Sequence, residues 1–285
     1  MIHPAFHIKQ KQTGEDDYLQ SLLLMEANPH GLSYLVLHQV RQEVLDAKYY
    51  TLPGAEGKNL SDRFRTIIDT DEVLHQQFRE SMVLYNFAEG MLVPDTLFNL
   101  ETNRELIDLA YGSVSKGLIL SEKVPSHPAH TTYRIPADVH SLFQHSFNTG
   151  KYWHIYTLWL ASLKNFPPEA EDNQAQLYVL FYPDRMLVAV YKNTQLQLVQ
   201  TFEYQVAEDV VYYLLNICRQ LQLSAEEALV VVSGYAQHDS PLFTEMRKYF
   251  MHCRLDEAPA TFTTQVFDPL PAHFFSPLLK MALCV

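Results

Sequence analysis

The sequence has little glycine, few cysteines and no long apolar run, and each shortage excludes a class of protein. Only 9 of its 285 residues are glycine. Its three cysteines, Cys218, Cys253 and Cys284, are odd in number and lack a paired spacing, so we expect reduced thiols and a cytoplasmic location. No segment approaches the ~18 apolar residues of a membrane-spanning helix, and residues 1–6 lack the pattern of a signal peptide.

Positive charge is also scarce. Lys and Arg number 21 against 33 Asp and Glu, which leaves a formal net charge of −12. A net anion repels a phosphate backbone, so we do not expect a nucleic-acid partner. Apolar residues are 47% and charged residues 19% of the chain, a composition that excludes disorder. The length suits two lobes of about 130 to 140 residues each.

The first half predicts an antiparallel meander followed by alternating helices and strands. Short turns such as Asn28-Pro29-His30-Gly31 separate the first strands, and Leu60, Phe64 and Ile67 fall at helical spacing. An extra segment at about 87–130 interrupts the series. The predicted elements are strand 18–27, strand 32–40, strand 44–52, helix 59–78, strand 81–86, strand 131–135, helix 136–150 and strand 152–156.

The second half repeats this order after a linker rich in proline and acidic residues. The predicted elements are strand 175–182, strand 186–191, strand 196–204, helix 206–221, strand 229–232, helix 240–250, strand 251–255 and a terminal helix at 276–284. We therefore predict a lead-in at 1–17, an N-terminal lobe at 18–166 and a C-terminal lobe at 174–285. The terminal helix is apolar, and we expect it to brace the first lobe.

A repeated meander followed by βαβ crossovers indicates the fold class. It predicts an α/β protein of two duplicated lobes, each with a mixed sheet and packed helices. Two such lobes are the architecture of the actin-like ATPases, within the ribonuclease H-like folds.

Individual residues also resemble a known family. The stretch from Phe202 to Leu215 has a Phe-x-Tyr strand end, then Glu208-Asp209 and a helix that contains Tyr212-Tyr213-Leu214-Leu215. It resembles the bacterial family called domain of unknown function 3822, as do three other segments. These are Val230 to Gly234, Ser240-Pro241-Leu242 and His273 to Cys284. The resemblance spans nearly the whole chain and implies an actin-like ATPase fold with no established activity.

That fold implies ATP bound between the lobes, with the first hairpin of each lobe around the phosphates and magnesium held by an acid. In the first hairpin, Glu26 and Gly31 match this role, and Asn28 lies between them. However, Pro29 has no N–H to donate and His30 is bulky. An ordinary Pro-Gly turn is the alternative.

The other two positions expected to contact ATP also match the role only in part. In the second hairpin, Asp184 suits magnesium and Arg185 suits a phosphate, but glycine is missing and a plain Pro-Asp turn is the alternative. At the third position, Ser233 and Gly234 precede Tyr235, which either stacks on a base or fills a gap at the strand end.

These observations leave three hypotheses open. The preferred hypothesis is a non-catalytic pseudo-ATPase that binds an unknown protein partner. Under this hypothesis the protein has no catalytic residues, no cofactor and no metal. The alternative is a protein that binds ATP with magnesium, or a weak ATPase, through the eight positions above. A third is a nuclease or transferase that uses two metals held by Asp16, Asp17 and Glu26. The histidine pairs His127/His130 and His140/His145 lack metal-ligand spacing.

Overall fold

The computed structural model of the protein describes residues 2–10, 13–52, 59–113, 116–125, 127–147, 150–167, 174–237, 239–262 and 272–284. The chain divides into two compact units, built mainly from residues 2–161 and 162–283. Each unit is described by itself.

The first unit combines a mixed sheet with helices and an inserted smaller sheet. Its elements are β1 (Phe6–Lys9), α1 (Glu15–Leu19), β2 (Ser21–Asn28), β3 (Gly31–His38), β4 (Glu43–Thr51), α2 (Leu60–Thr70), β5 (Glu80–Tyr85), β6 (Gly90–Pro94), α3 (Asn103–Tyr111), β7 (Leu118–Lys123), β8 (Ala129–Ile135), α4 (Ala137–Ser146) and β9 (Lys151–His154). Helix α5 (Ile155–Asn165) follows β9 directly. The main sheet has the order β1-β4-β3-β2-β5-β9, with β2, β5 and β9 parallel and the other pairs antiparallel.

The segment predicted as a lead-in at 1–17 contributes a strand to this sheet. Residues 6–9 form β1, which pairs with β4 from Phe6↔Tyr49 to Lys9↔Asp46. Tyr18, predicted to begin the first meander strand, lies instead in α1. Both elements are short, and polar neighbours dilute their apolar pattern.

The insertion forms a small sheet of its own, which packs against the core of the main sheet through Tyr133 and Ile135. Strands β6, β8 and β7 form an antiparallel sheet in that order, and α3 packs on β8. Helix α3 ends at Gly112, whose φ of +84° lies in the left-handed region that glycine adopts without strain.

The second unit has a five-stranded sheet among its described residues. Its elements are β10 (Gln176–Phe181), β11 (Arg185–Lys192), β12 (Gln195–Glu203), α6 (Ala207–Leu221), β13 (Leu229–Gly234), α7 (Pro241–Met246), β14 (His252–Leu255) and α8 (Ala272–Ala282). The order is β12-β11-β10-β13-β14, with β10, β13 and β14 parallel. Helix α8 packs on β13 of its own unit, and the expectation that it braces the first lobe stays a prediction.

Each sheet buries one face under its own helices. In the first unit, Met25 and Val83 of the sheet pack with Phe64 of α2 and Phe143 of α4. In the second unit, α6 and α7 cover the sheet with residues such as Leu214 and Phe243. Apolar residues at every third or fourth position of α6 form the buried stripe that the sequence predicts.

The two sheets share more than strand order. Strands β4-β3-β2-β5-β9 correspond to β12-β11-β10-β13-β14, with the same parallel and antiparallel pairs. The first hairpin of each sheet turns at Asn28-Pro29-His30-Gly31 and at Tyr182-Pro183-Asp184-Arg185, so proline occupies the same place in both. Register shifts also correspond, at Val36/Leu37 in one sheet and Val190/Tyr191 in the other.

Across the described ranges, no helix is long and apolar enough to cross a membrane.

Candidate functional site

The first hairpin turn uses its own backbone groups internally. Proline at position 29 has no N–H to donate. The His30 N–H donates to Asn28 Oδ1 at 2.9 Å, and the His30 carbonyl accepts from the Leu52 N–H at 2.7 Å. Asn28 is only 2% exposed. The turn therefore does not fit a loop that wraps phosphates with backbone donors.

The other two candidates of this hairpin face protein rather than solvent. Glu26 is 4% exposed, and its Oε1 accepts from Asn86 Nδ2 at 2.7 Å. Gly31 lies so close to β4 that a Cβ would sit 2.6 Å from the Tyr50 carbonyl oxygen. Strand packing thus accounts for the glycine without a ligand.

The second hairpin buries its cation. The Tyr182 N–H donates to the Arg185 carbonyl at 2.8 Å, and the Asp184 carbonyl accepts from the Tyr204 N–H at 3.1 Å. The Arg185 guanidinium lies 5.0 Å from the centre of the Tyr182 ring, and its Nη1 is 3.6 Å from Asp184 Oδ1. Arg185 is 6% exposed, and its Nη2 has no hydrogen-bond partner among the described residues. This hairpin therefore holds one buried donor that no described residue satisfies.

The third position packs against the last helix. Ser233 and Gly234 end β13 and are buried. Gly234 has a φ of +78°, and a Cβ there would lie 2.3 Å from the Phe181 carbonyl oxygen. The Tyr235 ring packs on Phe274 of α8, with ring centres 4.4 Å apart. The tyrosine ring thus packs against α8 at the strand end.

The candidates form two groups, one in each unit. Glu26 and Asn28 lie at the end of β2, and Gly31 begins β3. The second unit's five candidates, Asp184, Arg185, Ser233, Gly234 and Tyr235, lie together where β10 and β13 end, because the Tyr235 N–H bonds the Phe181 carbonyl at 2.9 Å. The matching bond in the first unit joins the Asn86 N–H to the Ala27 carbonyl at 2.9 Å.

The acids of the two-metal hypothesis have other partners. Asp17 Oδ1 accepts from Arg41 Nη2 at 2.9 Å, and its Oδ2 accepts from the Gly14 N–H at 3.0 Å. The backbone hydrogen bond from Gly14, followed by Arg41, lowers the pKa of Asp17. Asp16 lies beside it in α1, whereas Glu26 is buried in β2. Nowhere in the described ranges do three or more His, Cys, Asp or Glu side chains group to hold a metal ion.

The histidine pairs have structural partners as well. The ring of His130 stacks on Phe98 with centres 3.7 Å apart. His140 Nδ1 lies 2.8 Å from the Tyr85 hydroxyl, and burial lowers its pKa.

Sequence reasoning missed a polar cavity in the second unit. The cavity has a volume of about 330 Å³ and is lined by Val231, Arg254, Asp256 and Lys280, with others. Asp256 accepts from Lys280 Nζ at 2.6 Å and from Ser276 Oγ at 2.7 Å. The sequence signal that could have revealed this ion pair is Lys280, because a lysine within an apolar helix indicates a buried charge with a partner.

A family model described as "Protein of unknown function (DUF3822)" matches residues 11–253. Among curated proteins, none matches the chain. The crystal structure of a Bacteroides thetaiotaomicron VPI-5482 protein with an actin-like ATPase fold and unknown function is similar, with a TM-score of 0.79 and 14% identity. That match covers 96% of this chain and 100% of the other. The PilM–PilN type IV pilus biogenesis complex matches with a TM-score of 0.62 and 11% identity, over 92% of this chain and 96% of the other.

Proposed function

The chain belongs to the family described as protein of unknown function (DUF3822), with an actin-like ATPase fold, and from that premise we propose that it is a non-catalytic module that binds another protein. We also infer that its two units arose by duplication. The matching hairpins, register shifts and strand orders support the duplication.

One observation carries the proposal. In the first hairpin, at the position that the resemblance assigns to phosphate binding, proline removes one donor and Asn28 takes the His30 N–H. The carboxylate assigned to magnesium is buried against Asn86. A triphosphate would meet this hairpin without free backbone donors, in a chain of net charge −12.

A protein partner is consistent with what this fold accommodates elsewhere. One of the similar structures is a complex of two proteins, PilM and PilN. We infer a cytoplasmic location because the chain has only three cysteines, an odd number without a paired spacing, as expected in a reducing compartment.

The test pairs a ligand measurement with a partner measurement. A thermal-shift titration with Mg-ATP to millimolar concentration should leave the melting temperature unchanged, whereas a ligand at 100 times its Kd would add about 2.7 kcal/mol of stability. Purification of the tagged chain from its native cell should retain one protein at a fixed stoichiometry. A melting shift with Mg-ATP, or the absence of any stoichiometric partner, would contradict the proposal.

Arg185 favours the alternative, a nucleotide-binding protein, because its buried Nη2 lacks a partner among the described residues. Under this alternative, Glu26, Asn28, Gly31, Asp184, Arg185, Ser233, Gly234 and Tyr235 line the site for Mg-ATP. If Mg-ATP does stabilise the chain, Arg185→Lys should weaken that effect. The exposed Arg247→Lys is the matched control and should not.

A further inference from the structure

The inserted sheet of the first unit has two edges, β6 and β7, and the chain protects them differently. At the β6 edge, the Gly90 N–H donates to the Ala88 carbonyl at 2.9 Å, and the Gly90 carbonyl accepts from the Tyr111 hydroxyl at 2.6 Å. The last residue of β6, Pro94, has no N–H to donate. This edge therefore carries the kind of protection that natural edge strands have.

The β7 edge presents backbone groups that no described residue bonds. The Val124 N–H donates to the Ala129 carbonyl, and the antiparallel register of β7 with β8 fixes the alternation from there. Alternate residues of β7 bond β8, namely Leu118, Leu120 and Glu122. Between them, Ile119 and Ser121 turn their N–H and C=O groups outward, and these groups have no partner within the described ranges. The edge is therefore a template for another strand.

The side chains beside this edge are apolar and only partly covered. Leu120 packs on the hydrophobic core of the first unit, opposite Tyr133 of β8. On the other face of β7, Ser121 Oγ accepts from Asn103 Nδ2 of α3 at 2.9 Å. Residues 118–121 are uncharged, and Leu118 is 36% exposed. An added strand would therefore gain apolar contacts as well as backbone hydrogen bonds, as in strand addition to a sheet edge.

We propose that β7 pairs with β7 of a second copy of this chain, antiparallel and with the twofold axis at Ile119. In this register Ile119 lies opposite Ile119, and Leu118 of each copy lies opposite Leu120 of the other. Each apolar side chain of the strand thus faces an apolar side chain, which stabilises the pair. Lys116 lies opposite Glu122 at the two ends of the paired segment, so no like charges face each other within it.

The neighbouring registers that the outward backbone groups allow are less complementary. An axis at Leu120 would place Leu118 opposite Glu122, and an axis at Ser121 would place Leu120 opposite Glu122. Both leave an apolar side chain against a carboxyl group. Because the same segment is used on both copies, the contact closes as a twofold dimer and does not propagate. The paired segment is short, so we expect a weak dimer that forms at micromolar concentration or above.

Sedimentation velocity of the full chain across a concentration series tests the dimer. The wild-type protein should sediment increasingly as a dimer as its concentration rises toward millimolar. Leu118→Lys places a charge opposite Leu120 in both halves of the strand pair and should raise the dimer dissociation constant roughly fivefold or more. The matched control is Leu109→Lys on α3, where the leucine is 86% exposed, and it should leave the dissociation constant unchanged. Circular dichroism and thermal unfolding confirm that each variant is folded.

Disulfide cross-linking tests the position of the axis. Ile119→Cys places two thiols opposite each other, where the Cα atoms of a hydrogen-bonded pair lie about 5.5 Å apart, within the range of a disulfide. Ser121→Cys is the matched control, because four residues, about 13 Å of strand, separate its two copies along the pair. Under mild oxidation, Ile119→Cys should form a covalent dimer. Ser121→Cys should not exceed the background of the wild-type chain with its own three cysteines.

Hydrogen exchange resolved by residue tests the edge itself. In dilute monomer the amides of Leu120 and Glu122 should be protected by β8, while those of Ile119 and Ser121 exchange fast and become protected only on dimerisation. Outward amides that are already protected in dilute monomer overturn the proposal, because another part of the chain then covers the edge. A wild-type chain that stays monomeric also overturns it. So does a Leu118→Lys variant that dimerises normally, or a Ser121→Cys variant that cross-links as readily as Ile119→Cys.

Discussion

At the scale of single residues, Asp71 is a buried charged residue of the first unit. Its carboxylate accepts from Tyr34 at 2.9 Å, from Tyr50 at 2.6 Å and from Lys48 at 2.8 Å, while the Val73 N–H donates to it at 3.1 Å. Burial alone would raise the pKa of Asp71, but the hydrogen bonds from Lys48 and Tyr50 outweigh it and hold the pKa below its usual value. The ionised form is therefore the one that the fold stabilises.

Asp71→Asn should destabilise the protein strongly. It leaves the Lys48 ammonium without its anion, and breaking a buried ion pair from one side costs about 3–5 kcal/mol. Because the folded pKa is depressed, the contribution of Asp71 is present above the unfolded pKa of about 4 and is lost as pH falls through the lower folded value. Urea unfolding at pH 7 and pH 3 measures both effects. The exposed Asp69→Asn in the last turn of α2, two residues before Asp71, is the control, and an equal loss there would contradict the assignment.

The pKa of Glu122 is shifted in the opposite direction, upward. Burial raises its pKa to about 7, although hydrogen bonds from Thr157, the His154 N–H and Tyr133 lower it in part. The His154 N–H lies 2.5 Å from Glu122 Oε1, and the Tyr133 hydroxyl lies 3.1 Å from Oε2. Between about pH 4.5 and pH 7 the folded state thus holds a proton that the unfolded state has lost.

The stability of the wild-type chain should consequently fall as pH rises from about 4.5 to 7 wherever Glu122 dominates the titration. Glu122→Gln mimics the protonated form and should flatten this part of the profile while it stabilises the fold at pH 8. Denaturant melts of both proteins at pH 5 and pH 8 measure the difference. The exposed Glu105→Gln should keep the wild-type slope, and an unchanged slope in Glu122→Gln would refute this account.

At the scale of elements, substitutions at two glycines distinguish the cost of backbone strain from the cost of disturbing a close contact between strands. Gly112 and Gly234 both have positive φ, but a Cβ on Gly112 meets nothing within 4 Å, whereas one on Gly234 lies 2.3 Å from the Phe181 carbonyl oxygen. Gly112→Ala should cost about 1 kcal/mol, from backbone strain. Gly234→Ala should cost at least about 2 kcal/mol more, because β13 must move away from β10. Thermal unfolding of both variants tests this, and equal losses would show that the close approach is unimportant.

Element boundaries show what the sequence could predict. Helix α6 matches its predicted range of 206–221 to within a residue, because apolar residues such as Val210, Leu214 and Ile217 repeat at helical spacing. Strand β1 was missed because it has only four residues and two of them, His7 and Lys9, are polar or charged, so its apolar pattern is too short. Pairing with β4 holds it in the sheet. Strand 152–156 was predicted too long, since α5 already begins at Ile155.

The turns and strand ends that carry the candidate residues were predictable, but the contacts of these residues were not. Proline at 29 and glycine at 234 marked the turn and the strand end in the sequence. By contrast, the pairing of Glu26 with Asn86 and of Tyr235 with Phe274 joins residues that are distant along the chain. Local patterns carry no information on such contacts. For the same reason, the burial of Arg185 was not expected in a turn next to proline and aspartate.

At the scale of the whole molecule, each sheet builds a hydrophobic core with its own helices. One core draws on residues between Tyr18 and Phe147 and the other on residues between Leu177 and Phe250, with no buried residue in common. Each core is closed by helices from its own part of the chain. A cavity in one core should therefore weaken the elements that border it before it affects the other.

Leu214→Ala and Ile67→Ala test this separation as a matched pair, since both side chains are fully buried and each lies in a different core. Each should cost about 2–5 kcal/mol, from lost transfer energy and the cavity left behind. Hydrogen exchange followed by mass spectrometry should show Leu214→Ala deprotecting β10 and β13, and Ile67→Ala deprotecting β2 and β5. This is expected because the protection of a backbone amide against exchange depends on the local stability of the core around it. If either substitution deprotects both sheets equally, the chain unfolds as one cooperative body and the two cores are not energetically distinct.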